Sequence, residues 1–195
     1  MSREAYHEYF QGYMEVTQTD QKGIERIKRV YVADYHRAEI SDAGWKCGKI
    51  ISFLCWLGAV LLFMISAVKN LPCNTTVYAG VTQSLTALAL LLWSFTMGEY
   101  LLTGRNLTVS KFRTVHEVLV KRSMAGAICL ALCAAAVLAG MMIQRDTEIV
   151  NGMSVVTGHL AGAFLCFFAG NLEKRRTYVR IENSAAVPED SVMIR

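Results

Sequence analysis

Proline is almost missing from this chain, with only Pro72 and Pro188 among 195 residues. Formal charge is missing from four long stretches: 19 residues between Lys49 and Lys69, 29 between Lys69 and Glu99, 22 between Arg122 and Arg145, and 24 between Glu148 and Glu173. Each stretch can hold a bilayer-crossing helix of about 20 residues. With 53% of the chain apolar and its charges crowded between these stretches, an ordinary soluble domain is excluded. Pro72 stands near the start of the second stretch, ahead of its expected span, and Pro188 in the tail, so no span contains proline and the usual marker of the broken helices on which many transporters build their sites is lacking.

Catalytic signatures are lacking as well. There is no Walker loop, HExxH, GxSxG or metal-spaced run of carboxylates. The six cysteines form no CxxC pair, and a lone Cys73 in an outer connection cannot pass electrons as paired thiols do. Cys129 and Cys133 share a helix face, but further ligands at that depth are scarce, so small apolar filler is their expected role. A bis-histidine haem needs two intramembrane histidines, yet His7, His36 and His116 lie outside the apolar stretches and leave only His159. No cofactor, metal or catalytic residue is therefore expected, nor is an enzyme. The basic residues are too few and too mixed with acids for a nucleic-acid groove.

What is present reads as an all-α integral membrane four-helix bundle with cytoplasmic amphipathic N-terminal helices. The spans are expected at 50–68, 77–98, 123–143 and 152–170. They divide the chain into a cytoplasmic region 1–47, a transmembrane domain 48–170 and a basic juxtamembrane tail 171–195. Counting Lys and Arg by segment puts 18 on one side of the spans and 2 on the other. The basic excess belongs in the cytoplasm, which places both termini and the middle loop there and the protein in the cell membrane. About 47 largely polar residues precede the first span, so that span is expected to be an uncleaved anchor. Asn74-Thr75-Thr76 fits a glycosylation acceptor, but it lies too close to two membrane ends to be reached.

Small residues recur every fourth position in the last two spans: Ser123, Ala127, Ala131, Ala135 and Ala139 in the third, and Ser154, Gly158, Gly162, Cys166 and Gly170 in the fourth. Small faces let backbones approach closely inside lipid, so these two spans are expected to make the tightest contact, with each other or with a partner. His159 is the only titratable group deep in a span. Gln83, Ser84 and Thr157 are placed at a similar depth, which gives an outer polar layer in which a neutral His159 is expected to bond to Gln83.

Outside the spans, residues 5–16 set Tyr6, Tyr9, Phe10 and Tyr13 on one helical arc, a surface for the membrane or for a cytoplasmic protein partner. A second amphipathic helix is expected over 24–38. Lys174, Arg175, Arg176 and Arg180 form a basic cluster suited to anionic lipid headgroups. Two functions remain: a non-enzymatic assembly or accessory subunit that binds other membrane subunits or itself, or a small homo-oligomeric transporter or channel using the layer around Gln83 and His159. The missing intramembrane carboxylates and prolines favour the first.

Overall fold

The computed structural model of the chain describes residues 12–19, 25–144, 149–183 and 192–193. Tyr6, Tyr9 and Phe10 lie outside the described residues. In chain order the elements are β1 (Tyr13–Thr19), β2 (Glu25–Tyr31), β3 (Tyr35–Ala38), α1 (Asp42–Ala67), a 3-10 turn (Pro72–Asn74), α2 (Val77–Leu102), β4 (Asn106–Leu107), α3 (Val109–Phe112), a π turn (Arg113–Val118), α4 (Leu119–Gln144), α5 (Ile149–Lys174), β5 (Tyr178–Ile181) and β6 (Val192–Met193). The chain is mostly helical, and among the described residues four helices are long and apolar enough to cross a membrane. It divides into two compact units: residues 40–103 with 114–176, and residues 1–39 with 104–113 and 177–195.

In the first unit α1, α2, α4 and α5 each run for 26 residues. Each extends past its charge-free stretch at one end, into flanking sequence that holds no proline or glycine pair to break it. Ser41 Oγ accepts from Gly44 N at the start of α1, with Asp42 beside it in the first turn. Thr76 Oγ1 accepts from Ala79 N at the start of α2. Both satisfy amide groups that a helix start leaves open. The most extensive packing joins α4 to α5, followed by α1 with α5 and α2 with α4. The core runs along those interfaces through Ala59, Leu90, Trp93, Leu130, Val137, Val155 and Cys166, all buried.

The second unit corrects the sequence reading. Where the second amphipathic helix is expected, over 24–38, and at the described end of the first, from Tyr13, the structure has strands. β1 pairs antiparallel with β2 from Tyr13↔Tyr31 to Thr19↔Glu25, and β6 pairs along the other edge of β1. β3 is flanked by β4 and β5. Of the helical arc expected over 5–16, only the end from Tyr13 lies in the described strand, and there the pattern has period two: Tyr13 and Glu15 are exposed while Met14 and Val16 turn inward. Val16, Thr17 and Thr19, with Val30, Tyr31 and Val32, are β-branched or aromatic residues that suit strands. Glu15 and Arg29 are register partners whose side chains meet at 2.9 Å. Gly12 enters β1 at φ +85°, where a β-carbon would also meet Ala33 Cβ at 2.7 Å. Tyr31 holds this unit together: its hydroxyl donates to Asp34 O at 2.9 Å and accepts from Val109 N, and its carbonyl accepts from Asn183 Nδ2 at 2.7 Å. Phe112 stacks on His36 at 4.3 Å and meets the edge of Tyr178 at 5.0 Å.

Candidate functional site

The expected polar layer does not assemble. Gln83 Nε2 donates to Asn74 Oδ1 at 2.5 Å, and Asn74 Nδ2 in turn reaches the carbonyls of Ser66, Ala67 and Lys69 at 2.9 to 3.1 Å. Asn74 therefore caps the last turn of α1 and Gln83 holds the cap in place. The same geometry closes the glycosylation question, because the amide nitrogen that would carry a sugar is turned onto backbone carbonyls and Asn74 is 7% exposed. Ser84 and Thr157 face outward and donate to their own helices, at Gly80 O and Met153 O. His159 is fully enclosed, its ring 6.1 Å from that of Phe63, and neither ring nitrogen has a hydrogen-bond partner among the described residues. The anticipated His159–Gln83 bond is replaced by the Gln83–Asn74 bond, which a count of helix depth could not see because Asn74 lies in the turn.

The two small-residue stripes part company. In α5, Gly162, Cys166 and Gly170 are buried and Gly158 is half-buried, whereas Ser154 is exposed and accepts from Lys69 Nζ at 2.6 Å. A β-carbon at Gly158 would collide with Ser66 Oγ and one at Gly170 with Ser123 Oγ; at Gly162 it would stand 3.3 Å from Leu130 Cδ1 and 3.6 Å from Ala59 O. This face thus admits both α1 and α4. In α4, Ser123 is buried and Ala127 half-buried, but Ala131, Ala135 and Ala139 are exposed. Its inward face is Gly126, Leu130, Cys133, Val137 and Gly140. The reason is angular: a step of four residues advances about 40° round an α-helix, so four such steps leave the face, while alternating fours and threes stay on it.

Continuing the alternating pattern along α5, through His159, Gly162, Cys166 and Ala169, leads to Glu173, which is fully buried. Here α1, α2, α5 and the π turn contribute to one cluster of charged and aromatic groups. Glu173 Oε2 lies 2.7 Å from Arg176 Nη1, and Glu173 Oε1 lies 3.7 Å from His116 Nδ1 on the π turn. Arg176 also donates to Tyr100 OH at 2.5 Å and lays its guanidinium 5.0 Å from the centre of the Trp45 ring. Trp45 and Tyr100 meet edge to face at 5.7 Å. Lys49 Nζ donates to Leu101 O at 2.9 Å and to Thr103 O, closing the end of α2.

Charge spacing alone hid this cluster, since Glu173 and Arg176 border the last apolar stretch and read as solvated. The signal that finds them is the position of Glu173 on the buried stripe, with Arg176 one turn later. Arg176 is accordingly not available as a headgroup contact: its side chain is 8% exposed. Arg180 is exposed but paired with Asp34 at 2.5 Å, and Lys174 and Arg175 are exposed.

The cluster holds a carboxylate, an imidazole and two cations, but its geometry is that of a clamp: each group faces another group of the protein. Cys55, Cys73, Cys133 and Cys166 are buried free thiols, and Cys133 Sγ lies 3.1 Å from Thr86 Oγ1. Among the described residues no group of three or more His, Cys, Asp or Glu side chains is placed to hold a metal ion. No protein-family model, no curated protein and no solved structure matches this chain.

Proposed function

We propose that the protein is a multi-pass membrane protein of the cell membrane, with both termini in the cytoplasm, acting without catalysis as an assembly or accessory subunit. The 18-to-2 distribution of basic residues supports the orientation. The subunit reading is carried by one observation: α4 keeps Ala131, Ala135 and Ala139 on an outward face, although its contact with α5 uses other residues. A shallow face of this kind lets a further helix approach closely within the bilayer. Tyr13, exposed on β1, gives the cytoplasmic unit a second surface for a protein partner. The transporter reading loses its support, since Gln83 is committed to a cap, Ser84 and Thr157 point outward, and His159 stands alone.

Mild-detergent purification of the full chain, analysed by intact-complex mass, tests the reading. Ala131→Leu with Ala135→Leu should remove a copurifying subunit or a self-associated form while the protein keeps its thermal stability. Unchanged assembly in that variant would sink the proposal.

A further inference from the structure

At the end of the bundle where α4 begins and α5 ends, an open groove of about 460 Å³ lies beside the Glu173 clamp. Val120, Met124 and Phe167 form its apolar wall, and Lys121, Lys174 and Glu117 its charged rim. His116 lines the groove where it meets the clamp. The order of these residues along their helices is regular. Met124 lies about 4.5 Å further into the bundle than Lys121, and Phe167 about 10 Å further in than Lys174, at 1.5 Å per residue. Both helices thus run from ammonium at the end of the bundle to apolar side chain within it. We infer that this groove binds a single anionic phospholipid, its phosphate between Lys121 and Lys174 and the upper part of an acyl chain against Met124 and Phe167.

Charge matching selects the class of lipid. Two ammonium groups against the Glu117 carboxylate leave the rim one positive charge in excess, the complement of a singly anionic headgroup. Glu117 lies 4.0 Å from Lys121 Nζ on the same face, so it holds that ammonium at the rim and weighs against multiply charged headgroups. Glu173 adds little to this balance because Arg176 neutralises it from behind. An apolar wall has no use for free phosphate, whereas Phe167, half exposed, offers its ring to an acyl chain. The inference rests on the bundle being embedded in a bilayer, as proposed above.

Intact-complex mass spectrometry of the full chain in mild detergent, with added phosphatidylglycerol, phosphatidylcholine or inorganic phosphate, tests it. Phosphatidylglycerol should be retained as one bound molecule with a preference over phosphatidylcholine of at least about tenfold. Lys121→Gln with Lys174→Gln should abolish the preference, as should Met124→Trp, which fills the groove without touching its charge. Arg175→Gln, outside the groove, should leave it intact. Equal retention of the two lipids, retention in the Met124→Trp variant, equal loss with Arg175→Gln, or competition by inorganic phosphate would each overturn the inference. The same spectra report assembly, so lost lipid selectivity in a protein that still assembles faults the groove and not the subunit reading.

Discussion

Gly48 on α1 exists where it does because of Arg176 beyond the end of α5: a β-carbon at Gly48 would collide with the guanidinium Nη2. The guanidinium lies over Trp45, one turn earlier on α1, and its Nη1 is engaged by Glu173 and Tyr100. Gly48→Ala should therefore cost about 1–3 kcal/mol, the usual range for overpacking a filled site. Thermal unfolding in detergent measures it. In an Arg176→Ala background the same change should cost much less, and equal costs in the two backgrounds would show that the pair is not coupled.

Removing only one partner of the buried ion pair leaves an uncompensated charge. Arg176→Ala should destabilise the protein by about 3–5 kcal/mol, whereas Glu173→Gln with Arg176→Gln should be milder because no lone charge remains. A double-mutant cycle in denaturant or heat reads the difference. A double variant no more stable than Arg176→Ala would remove the ion pair from the explanation.

The cap made by Asn74 should be visible as a stability loss confined to one end of the bundle. Asn74→Ala leaves the last carbonyls of α1 without a donor, at about 1–3 kcal/mol for groups kept from water. Gln83→Leu should cost less, since it only frees the cap to move. Hydrogen exchange should show faster opening near Ser66 and Ala67 in Asn74→Ala and little change at Trp45.

His159 separates two views of the bundle interior. With both ring nitrogens lacking a partner among the described residues, His159→Leu should leave thermal stability unchanged or raise it, because an apolar group of similar volume suits an apolar enclosure. Loss of more than about 2 kcal/mol would reveal a hydrogen bond worth keeping. In reconstituted liposomes His159→Gln should leave permeability unchanged; a lost flux would revive the transporter reading.

Glycine and alanine at equal spacing should behave oppositely. Gly162→Leu and Gly170→Leu should prevent folding or lower the melting temperature sharply, since Leu130 and Ser123 already occupy the space. Ala139→Leu should leave folding untouched because its side chain faces away from the bundle. Equal behaviour of the two kinds of variant would contradict the assignment of faces.

The four long helices were legible because hydrophobic length is a property of sequence alone: the charge-free gap at 50–68 coincides with α1 up to Ala67, and the gap at 149–172 lies within α5. The α5 packing face was legible for the same reason, as glycines admit few explanations in a buried helix. Two things were not. The strands β1 to β3 were read as helices because Tyr and Ile fall at spacings compatible with either period over a dozen residues, and the pairing that decides between them joins Glu15 to Arg29 across the hairpin. The clamp was missed because burial of Glu173 depends on Arg176, His116 and Tyr100 arriving from three segments, and no local window contains them.

The common helix length has a consequence for the bilayer itself. A helix of 26 residues is about 39 Å long, against a hydrocarbon thickness of about 30 Å. In the proposed embedding the surplus of about 9 Å falls mainly at the clamp end, where each helix overruns its charge-free stretch and where Trp45, Lys49 and Tyr100 suit a headgroup zone. For a bundle embedded as proposed, a thicker membrane would draw the clamp toward hydrocarbon and a thinner one would expose apolar flank, so hydrophobic mismatch would give the protein a preferred membrane thickness. Its distribution between thin and thick membranes is then a physical property of the fold, readable by partitioning in vesicles of graded acyl-chain length.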